Sequence, residues 1–375
     1  MKTFMFPGQG AQTKGMGGDL FDHFKELTDK ADSILGYSIK KLCLEDPRGE
    51  LNKTQFTQPA LYTVNALSYF KKLEETGKKP DFLAGHSLGE FNALMAAECF
   101  DFETGLKLVQ KRGELMGQVT GGGMAAMLNA SKEEIETTLK KNGLNNVYLA
   151  NYNSPSQIVI SGSAEEIAKA EPLFKKGKIR FYPLNTSGAF HSKFMQDAME
   201  QFKEYLKGYA FSELKTPVIS NVTARPYENA AILDTLSRQI ASTVQWSESV
   251  QYLIALGRRR SDAMEFEELG PGNVLTMLVE TIKKQTPNTV LDQYFKQDNE
   301  NGGSENAAPK KSADAAEKVS TWNQKYPIGT KVKSTIMDYD DLETRTEAVV
   351  LFGHRAAVYM KGYNGYFDLD EVVPI

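Results

Sequence analysis

The 375-residue chain is poor in several residue types that specialised chemistry needs. Its two cysteines, Cys43 and Cys99, show no paired spacing. That excludes a disulfide framework and fits buried thiols in a reducing compartment. There are four histidines and no Cys/His cluster, so no metal site is expected. No apolar run is long enough to span a bilayer. The chain opens on a strand-like Thr3-Phe4-Met5-Phe6 rather than on a signal peptide. A net charge of −4 is too mild for a nucleic-acid binder. These absences leave a cytoplasmic globular protein with neither nucleic acid nor membrane as partner, long enough for one large domain and an appendage.

What is present is chemically pointed. Gly85-His86-Ser87-Leu88-Gly89 lies between a strand-like Phe82-Leu83-Ala84 and a helix-like run from Leu88 to Cys99. A sharp strand-to-helix turn needs glycines on both sides, because a Cβ there would clash. It presents the serine hydroxyl at a helix N-terminus, where backbone N–H groups can hold an oxyanion. Serine needs a base. His86 adjoins Ser87 and should point away from it, His23 sits in a polar helix, and His354 lies in a separate C-terminal Gly353-His354 turn. His191 remains, in Ser187-Gly188-Ala189-Phe190-His191-Ser192, where a loop opens into a helix with apolar residues at helical spacing. The pair suits acyl transfer or hydrolysis. Arg112 falls in the apolar face of a helix predicted over Asp101 to Val119, with Asp101 as N-cap. A buried guanidinium keeps its charge and needs an anion. That anion is either a carboxylate of the protein or a substrate carboxylate held beside the reacting acyl group.

Residues 1–122 alternate strand and helix signals, as a doubly wound α/β sheet would. After Gly121-Gly122-Gly123 the order is strand (Met124–Leu128), helix, strand (Val147–Asn151), strand (Gln157–Ser161), helix, strand (Ile179–Leu184), with a turn at Asn153-Ser154-Pro155. Ser131 with Glu134 and Ser163 with Glu166 are predicted capping boxes. This β-α-β-β-α-β order predicts a ferredoxin-like subdomain, 123–187, inserted into an α/β body formed by 1–122 and 188–292. The body is expected to resume with strands at Val218–Val222 and near Met264–Phe266, and with a helix after Gly270-Pro271-Gly272. A cleft between the two parts is a natural substrate site. Residues 297–318, nearly free of bulky apolar side chains, read as a linker. Residues 319–375 read as a small SH3-like β module. Its strands are expected at Lys331–Met337, Thr344–Phe352, Arg355–Met360 and Tyr366–Leu369, with turns at Gly353-His354 and Asn364-Gly365.

Taken together, Phe6-Pro7-Gly8-Gln9-Gly10-Ala11-Gln12, Gly85-His86-Ser87-Leu88-Gly89-Glu90, Lys111-Arg112-Gly113, Gly188-Ala189-Phe190-His191-Ser192 and Leu269-Gly270-Pro271-Gly272 resemble the malonyl-CoA:acyl carrier protein transacylases. The likeness is to the free-standing acyltransferases that serve polyketide synthases in trans, and it covers residues 1 to about 290. The resemblance implies an α/β-hydrolase-like body with a ferredoxin-like subdomain. It implies Ser87 as nucleophile, His191 as acid and base, the backbone N–H groups of Gln9 and Leu88 as oxyanion hole, and Arg112 as malonate anchor. Gly8 and Gly10 would let the N-terminal loop approach the serine. The family orients its histidine with a backbone carbonyl, at the position of Gln239 here. The following Thr243-Val244 departs from the family's usual Pro-Val. Phe190 resembles the malonyl-selective pattern, where a Ser marks methylmalonyl enzymes. The substrate implied is malonyl-CoA and the partners an acyl carrier protein and a polyketide synthase. No cofactor is implied, since phosphopantetheine travels on the carrier. An acyl hydrolase clearing carrier proteins, or a housekeeping transacylase of fatty-acid synthesis, would use the same serine and histidine. Lys175, Lys176, Lys178, Arg180 and Arg258–Arg260 are candidate contacts for an acidic carrier.

Overall fold

The computed structural model describes residues 1–175, 177–186, 188–295, 313–334, 342–351, 355–361, 366–369 and 372–375. It divides into two units, Met1–Asp298 and Asn299–Ile375.

In the first unit, β1 (Lys2–Phe6), β2 (Phe82–Gly85), β7 (Val218–Ile219) and β8 (Glu265–Glu268) form a parallel sheet in the order β7-β2-β1-β8. Side chains alternate across it as strand geometry requires. Phe4, Phe6 and Leu83 enter one apolar cluster, and Met5, Phe82, Ala84 and Ile219 enter another. Both faces are therefore covered, as parallel sheets need. The carboxyl ends of all four strands lead into loops on one edge: Pro7-Gly8-Gln9, His86-Ser87, Ser220-Asn221 and Leu269-Gly270. Open α/β sheets bind ligands at this edge.

Four further strands, β3 (Gly122–Leu128), β4 (Val147–Ser154), β5 (Gln157–Ser163) and β6 (Arg180–Leu184), form an antiparallel sheet in the order β4-β5-β3-β6. The helices Lys132–Lys141 and Ala164–Phe174 supply Ile135, Leu139, Ile167 and Phe174 to its core. Strand β4 runs through Asn153 to Ser154, so the reversal falls at Pro155-Ser156, later than expected. The capping boxes are half formed. Ser131 and Ser163 accept from the N–H of Glu134 and Glu166, but the Glu166 carboxylate takes the backbone N–H and side-chain amide of Asn146 instead of reaching back. A strand expected over Val218–Val222 ends at Ile219, because Ser220 and Arg225 pair in a turn that swings Asn221 toward the serine.

The turn at Ser87 depends on backbone contact that only glycine permits. A Cβ on Gly89 would lie 2.0 Å from the Phe6 carbonyl oxygen, and one on Gly8 would lie 2.3 Å from that of His86. Gly10 differs from the expectation of close approach: a Cβ there meets nothing within 4 Å, and its φ of +109° is what requires glycine. A Gly89→Ala protein is expected to lose about 3 kcal/mol of stability or more, since the clashing atoms, from Phe6 and Pro7, are all backbone. Chemical denaturation reads this directly, and an unchanged midpoint would contradict the packing.

In the second unit the helix Ala313–Lys325 starts inside the stretch read as linker. Its apolar Trp322 gives it a core to pack into, and its Ala, Glu and Lys residues are helix formers. The described strands are β9 (Lys331–Ser334), β10 (Leu342–Glu343), β11 (Val349–Leu351), β12 (Arg355–Tyr359), β13 (Tyr366–Asp368) and β14 (Val372–Pro374), paired as β10-β9-β14 and β11-β12-β13. Strands β10 and β14 lie outside the four expected ones, and among the described residues of 344–352 the strand is Val349–Leu351. Residues 335–337, 296–312 and both expected turns, at 353–354 and 364–365, lie outside the described residues.

Candidate active site

Ser87 stands between β2 and the buried helix Gly89–Ala96 with φ +50°, a left-handed conformation that a side chain resists. Two amides hold it there. Asn221 Oδ1 accepts from the Ser87 N–H at 2.7 Å while Asn221 Nδ2 donates to the Gly85 carbonyl at 2.7 Å. Gln239 Nε2 donates to the Ser87 carbonyl at 2.7 Å. His191 is also left-handed, at φ +56°, and is 5% exposed. Its Nε2 lies 2.8 Å from Ser87 Oγ. Its Nδ1 faces two acceptors, the carbonyls of Gln239 at 3.0 Å and Ser242 at 3.1 Å. Both are oxygens without a hydrogen to give, so Nδ1 carries the proton and Nε2 turns its lone pair to the serine. Burial first, and the Arg112 charge second, push the imidazole down to about 3, so it is neutral at pH 7.

Arg112 reaches this hydroxyl from the helix Phe102–Gln118, which Asp101 caps. It is 1% exposed. Nη2 donates to Ser87 Oγ at 3.0 Å and to Gln239 Oε1 at 2.7 Å, and Nη1 donates to Gln58 Oε1 at 2.7 Å. The internal carboxylate partner weighed from the sequence is not there: among the described residues Arg112 makes no ion pair within 4.0 Å, and its Nε has no partner. Neutral oxygens of Gln58, Gln239 and Ser87 take its Nη1 and Nη2 donors, and the Glu90 carboxylate acts on its charge without touching it. Burial pulls it down only to about 9, so it remains a cation at neutral pH.

A cavity of about 240 Å³ opens on these groups, lined among others by Gln9, Leu88, Met116, Met124, Leu184 and Phe190. The walls come from both the parallel body and the antiparallel sheet. Around the elbow, the N–H of Ser87 goes to Asn221, that of Gly89 to the His86 carbonyl and that of Glu90 to the Ser87 carbonyl. Among the described residues the N–H groups of Leu88 and Gln9 carry no partner. Phe190 is buried in the cavity wall next to His191. His86 also lines the cavity, but its Nε2 pairs with Asn153 Oδ1 at 2.8 Å and its ring packs near Trp246. His23 pairs with Glu74 and does not line the cavity, and His354 lies outside the described residues. The Thr243-Val244 departure is accommodated: Thr243 Oγ1 donates to the Leu149 carbonyl, and Val244 pairs with β4 through Ala150 and Tyr152.

Such a site can form an alkoxide, stabilise an oxyanion and hold an anion beside both. The Acyl transferase domain model matches residues 3–315. The chain belongs to the acyl transferase domain family. It is 57% identical, over 76% of its length and 98% of the relative's, to the polyketide biosynthesis malonyl CoA-acyl carrier protein transacylase PksC of Bacillus subtilis. It is 55% identical to the polyketide biosynthesis protein PksE of the same organism, but spans only 37% of that longer protein. The crystal structure of a malonyl CoA-acyl carrier protein transacylase from Burkholderia pseudomallei superposes with a TM-score of 0.76 at 61% identity, covering 76% of this chain and 99% of that one. The acyltransferase fold expected from the sequence is therefore shown for the first unit.

Four parts of this constellation are absent from the sequence reading. Gln58 gave no signal. The Ser242 carbonyl and the Asn221 brace depend on long-range turns. Glu90 was visible as an acid inside an apolar helical run, and it turns out wholly buried. Among the described residues, no group of three or more His, Cys, Asp or Glu side chains is disposed to hold a metal, and no helix is long and apolar enough to cross a membrane.

Proposed function

We infer that this chain moves a malonyl group from malonyl-CoA to the phosphopantetheine thiol of an acyl carrier protein, in the service of a polyketide synthase. The observation that carries the reading is a buried, unneutralised Arg112 in hydrogen-bond contact with the hydroxyl of a Ser–His pair. The names of the relatives support the carrier-protein and polyketide assignments.

In the first half-reaction Ser87 Oγ attacks the thioester carbonyl as its proton passes to His191 Nε2. The imidazolium is supported by the two carbonyls at Nδ1. The oxyanion takes the N–H groups of Gln9 and Leu88. The C–S bond breaks, and coenzyme A leaves as thiol with the proton from His191. The second half runs in reverse, with the carrier's thiol as nucleophile, which gives ping-pong kinetics. Acylation turns Oγ from a hydroxyl into an ester oxygen, a poorer acceptor. The Nη2 hydrogen it held is thereby released for the malonyl carboxylate. Phe190 narrows the wall against a methyl branch, a softer filter worth about 1–3 kcal/mol. The chain itself supplies every group used, and no cofactor enters.

The order β4-β5-β3-β6 with two helices supports reading 123–187 as a ferredoxin-like subdomain inserted into an α/β-hydrolase-like body of 1–122 and 188–292. The two three-stranded sheets support an SH3-like reading of the C-terminal module, 319–375, and the helix Ala313–Lys325 supports beginning it at 313. Of the cations considered for carrier contact, Lys175 is paired with Glu171, Arg258 with Asp292 and Asn288, and Lys176 lies outside the described residues.

Turnover of malonyl-CoA and of acetyl-carrier protein, with and without holo carrier, tests the reading. Malonyl transfer that depends on holo carrier and outruns acetate release is expected. Faster hydrolysis of acetyl-carrier protein would make the chain a hydrolase.

A further inference from the structure

One fully buried carboxylate beside the site takes no part in the transfer steps. Glu90, three residues after the nucleophile, accepts at Oε1 from the Tyr227 hydroxyl at 2.6 Å and the Asn221 N–H at 3.0 Å, and at Oε2 from Gln239 Nε2 at 2.6 Å. It lies one amide away from Arg112, since Gln239 Oε1 accepts from Arg112 Nη2 at 2.7 Å. The orientation of that amide is set by its neighbours. Arg112 only donates, whereas the Ser87 carbonyl and an ionised Glu90 only accept. Turning the amide over would put N–H against guanidinium and oxygen against two acceptors. We propose that Glu90 is a positioning residue for charge selection: as the charged acceptor that joins the Ser87 carbonyl in fixing which end of the Gln239 amide faces Arg112, it keeps the guanidinium anchored on neutral oxygens with its charge available to an acyl carboxylate.

This proposal rests on the malonyl-transfer reading. A glutamine at position 90, with its oxygen held by Tyr227 and Asn221, would turn an NH2 group toward Gln239 Nε2, setting donor against donor and pushing the amide off Arg112. A carboxylate in direct contact with Arg112 would neutralise it. The separation by one amide does neither. Through Asn221, Glu90 also steadies the brace on the Ser87 N–H, so its loss touches all substrates to some degree and anionic ones more.

Burial raises Glu90 to about 7, against the lowering effect of its three donors and Arg112. The titratable groups that act on it lie elsewhere: Arg112 is near 9 and Tyr227 well above its ordinary value; in the same site His191 is near 3 and His86 below its own ordinary value. Below about pH 7 Glu90 gains a proton and its hold on Gln239 weakens.

The test compares kcat/KM for malonyl-CoA and acetyl-CoA, with one holo carrier protein, in wild type, Glu90→Gln, Gln239→Met and the double variant. The malonyl-to-acetyl ratio is expected to fall at least about tenfold in Glu90→Gln, mainly through KM for malonyl-CoA, and the double variant to fall no further than Gln239→Met. Equal losses for both substrates, or additive losses in the double variant, would overturn the proposal in favour of a merely structural carboxylate. Should Glu90→Gln fail to fold, the wild-type ratio against pH decides. A fall centred near pH 7 is expected, and a flat ratio from pH 5.5 to 8.5 overturns it. A wild type that transfers no malonyl group at all would instead remove the parent reading.

Discussion

A Ser87→Ala protein is expected to transfer malonyl groups on the order of 10⁶-fold more slowly than wild type, as loss of the nucleophile does in other Ser–His sites. The effect is this large because no neighbouring group can form the ester. The two cysteines, Cys43 and Cys99, are buried away from the cavity walls, and burial raises both thiols, Cys99 to about 12. The fold should survive, since Oγ contributes only its contacts to His191 and Arg112, while the backbone bonds to Asn221 and Gln239 remain. Steady-state transfer with matched circular dichroism checks this. Activity within tenfold of wild type would mean that the acyl group is carried elsewhere or passes directly to the carrier.

The second large effect belongs to Arg112→Ala. Removing the cation leaves the malonyl carboxylate in a buried pocket without its partner, a loss of about 2–5 kcal/mol, or tens- to thousands-fold in kcat/KM. Acetyl transfer has no carboxylate to lose. At the reacting hydroxyl it forfeits the Nη2 contact to Ser87 Oγ, about one hydrogen bond to a charged group, or roughly 1.5–3 kcal/mol, and the unpairing of Gln58 and Gln239 falls on both substrates alike. The malonyl preference should therefore collapse while measurable acetyl loading survives. Equal losses for the two substrates would make Arg112 a structural cation, holding Gln58 and Gln239 in place rather than reading the substrate.

The sequence carried much of this site because several of its constraints are local. Gly85 and Gly89 flank Ser87 for a reason visible in five residues, and the polarity of the Asp101–Val119 helix marked Arg112 as a cation on an apolar face. His191 emerged by elimination among four histidines. What stayed hidden depends on closure of the chain over long distances. Asn221 reaches Ser87 across 134 residues, and Gln58 reaches Arg112 across 54. An amide carries no compositional signal of such a role. Gln239 shows the limit most clearly: resemblance pointed to its backbone carbonyl, while its side chain proves to join Glu90, Arg112 and Ser87. In the C-terminal module the helix was lost to a compositional argument, since an Ala- and Lys-rich stretch reads as linker until Trp322 is seen to anchor it.

Intact-protein mass after brief exposure to malonyl-CoA or acetyl-CoA bears most directly on the claim that hydroxyl and cation share one pocket. A single malonyl adduct is expected, mapped to Ser87, far exceeding the acetyl adduct and discharged on adding holo carrier protein. An acetyl adduct of equal or greater occupancy, or a malonyl adduct lost to water and untouched by the carrier, would contradict it.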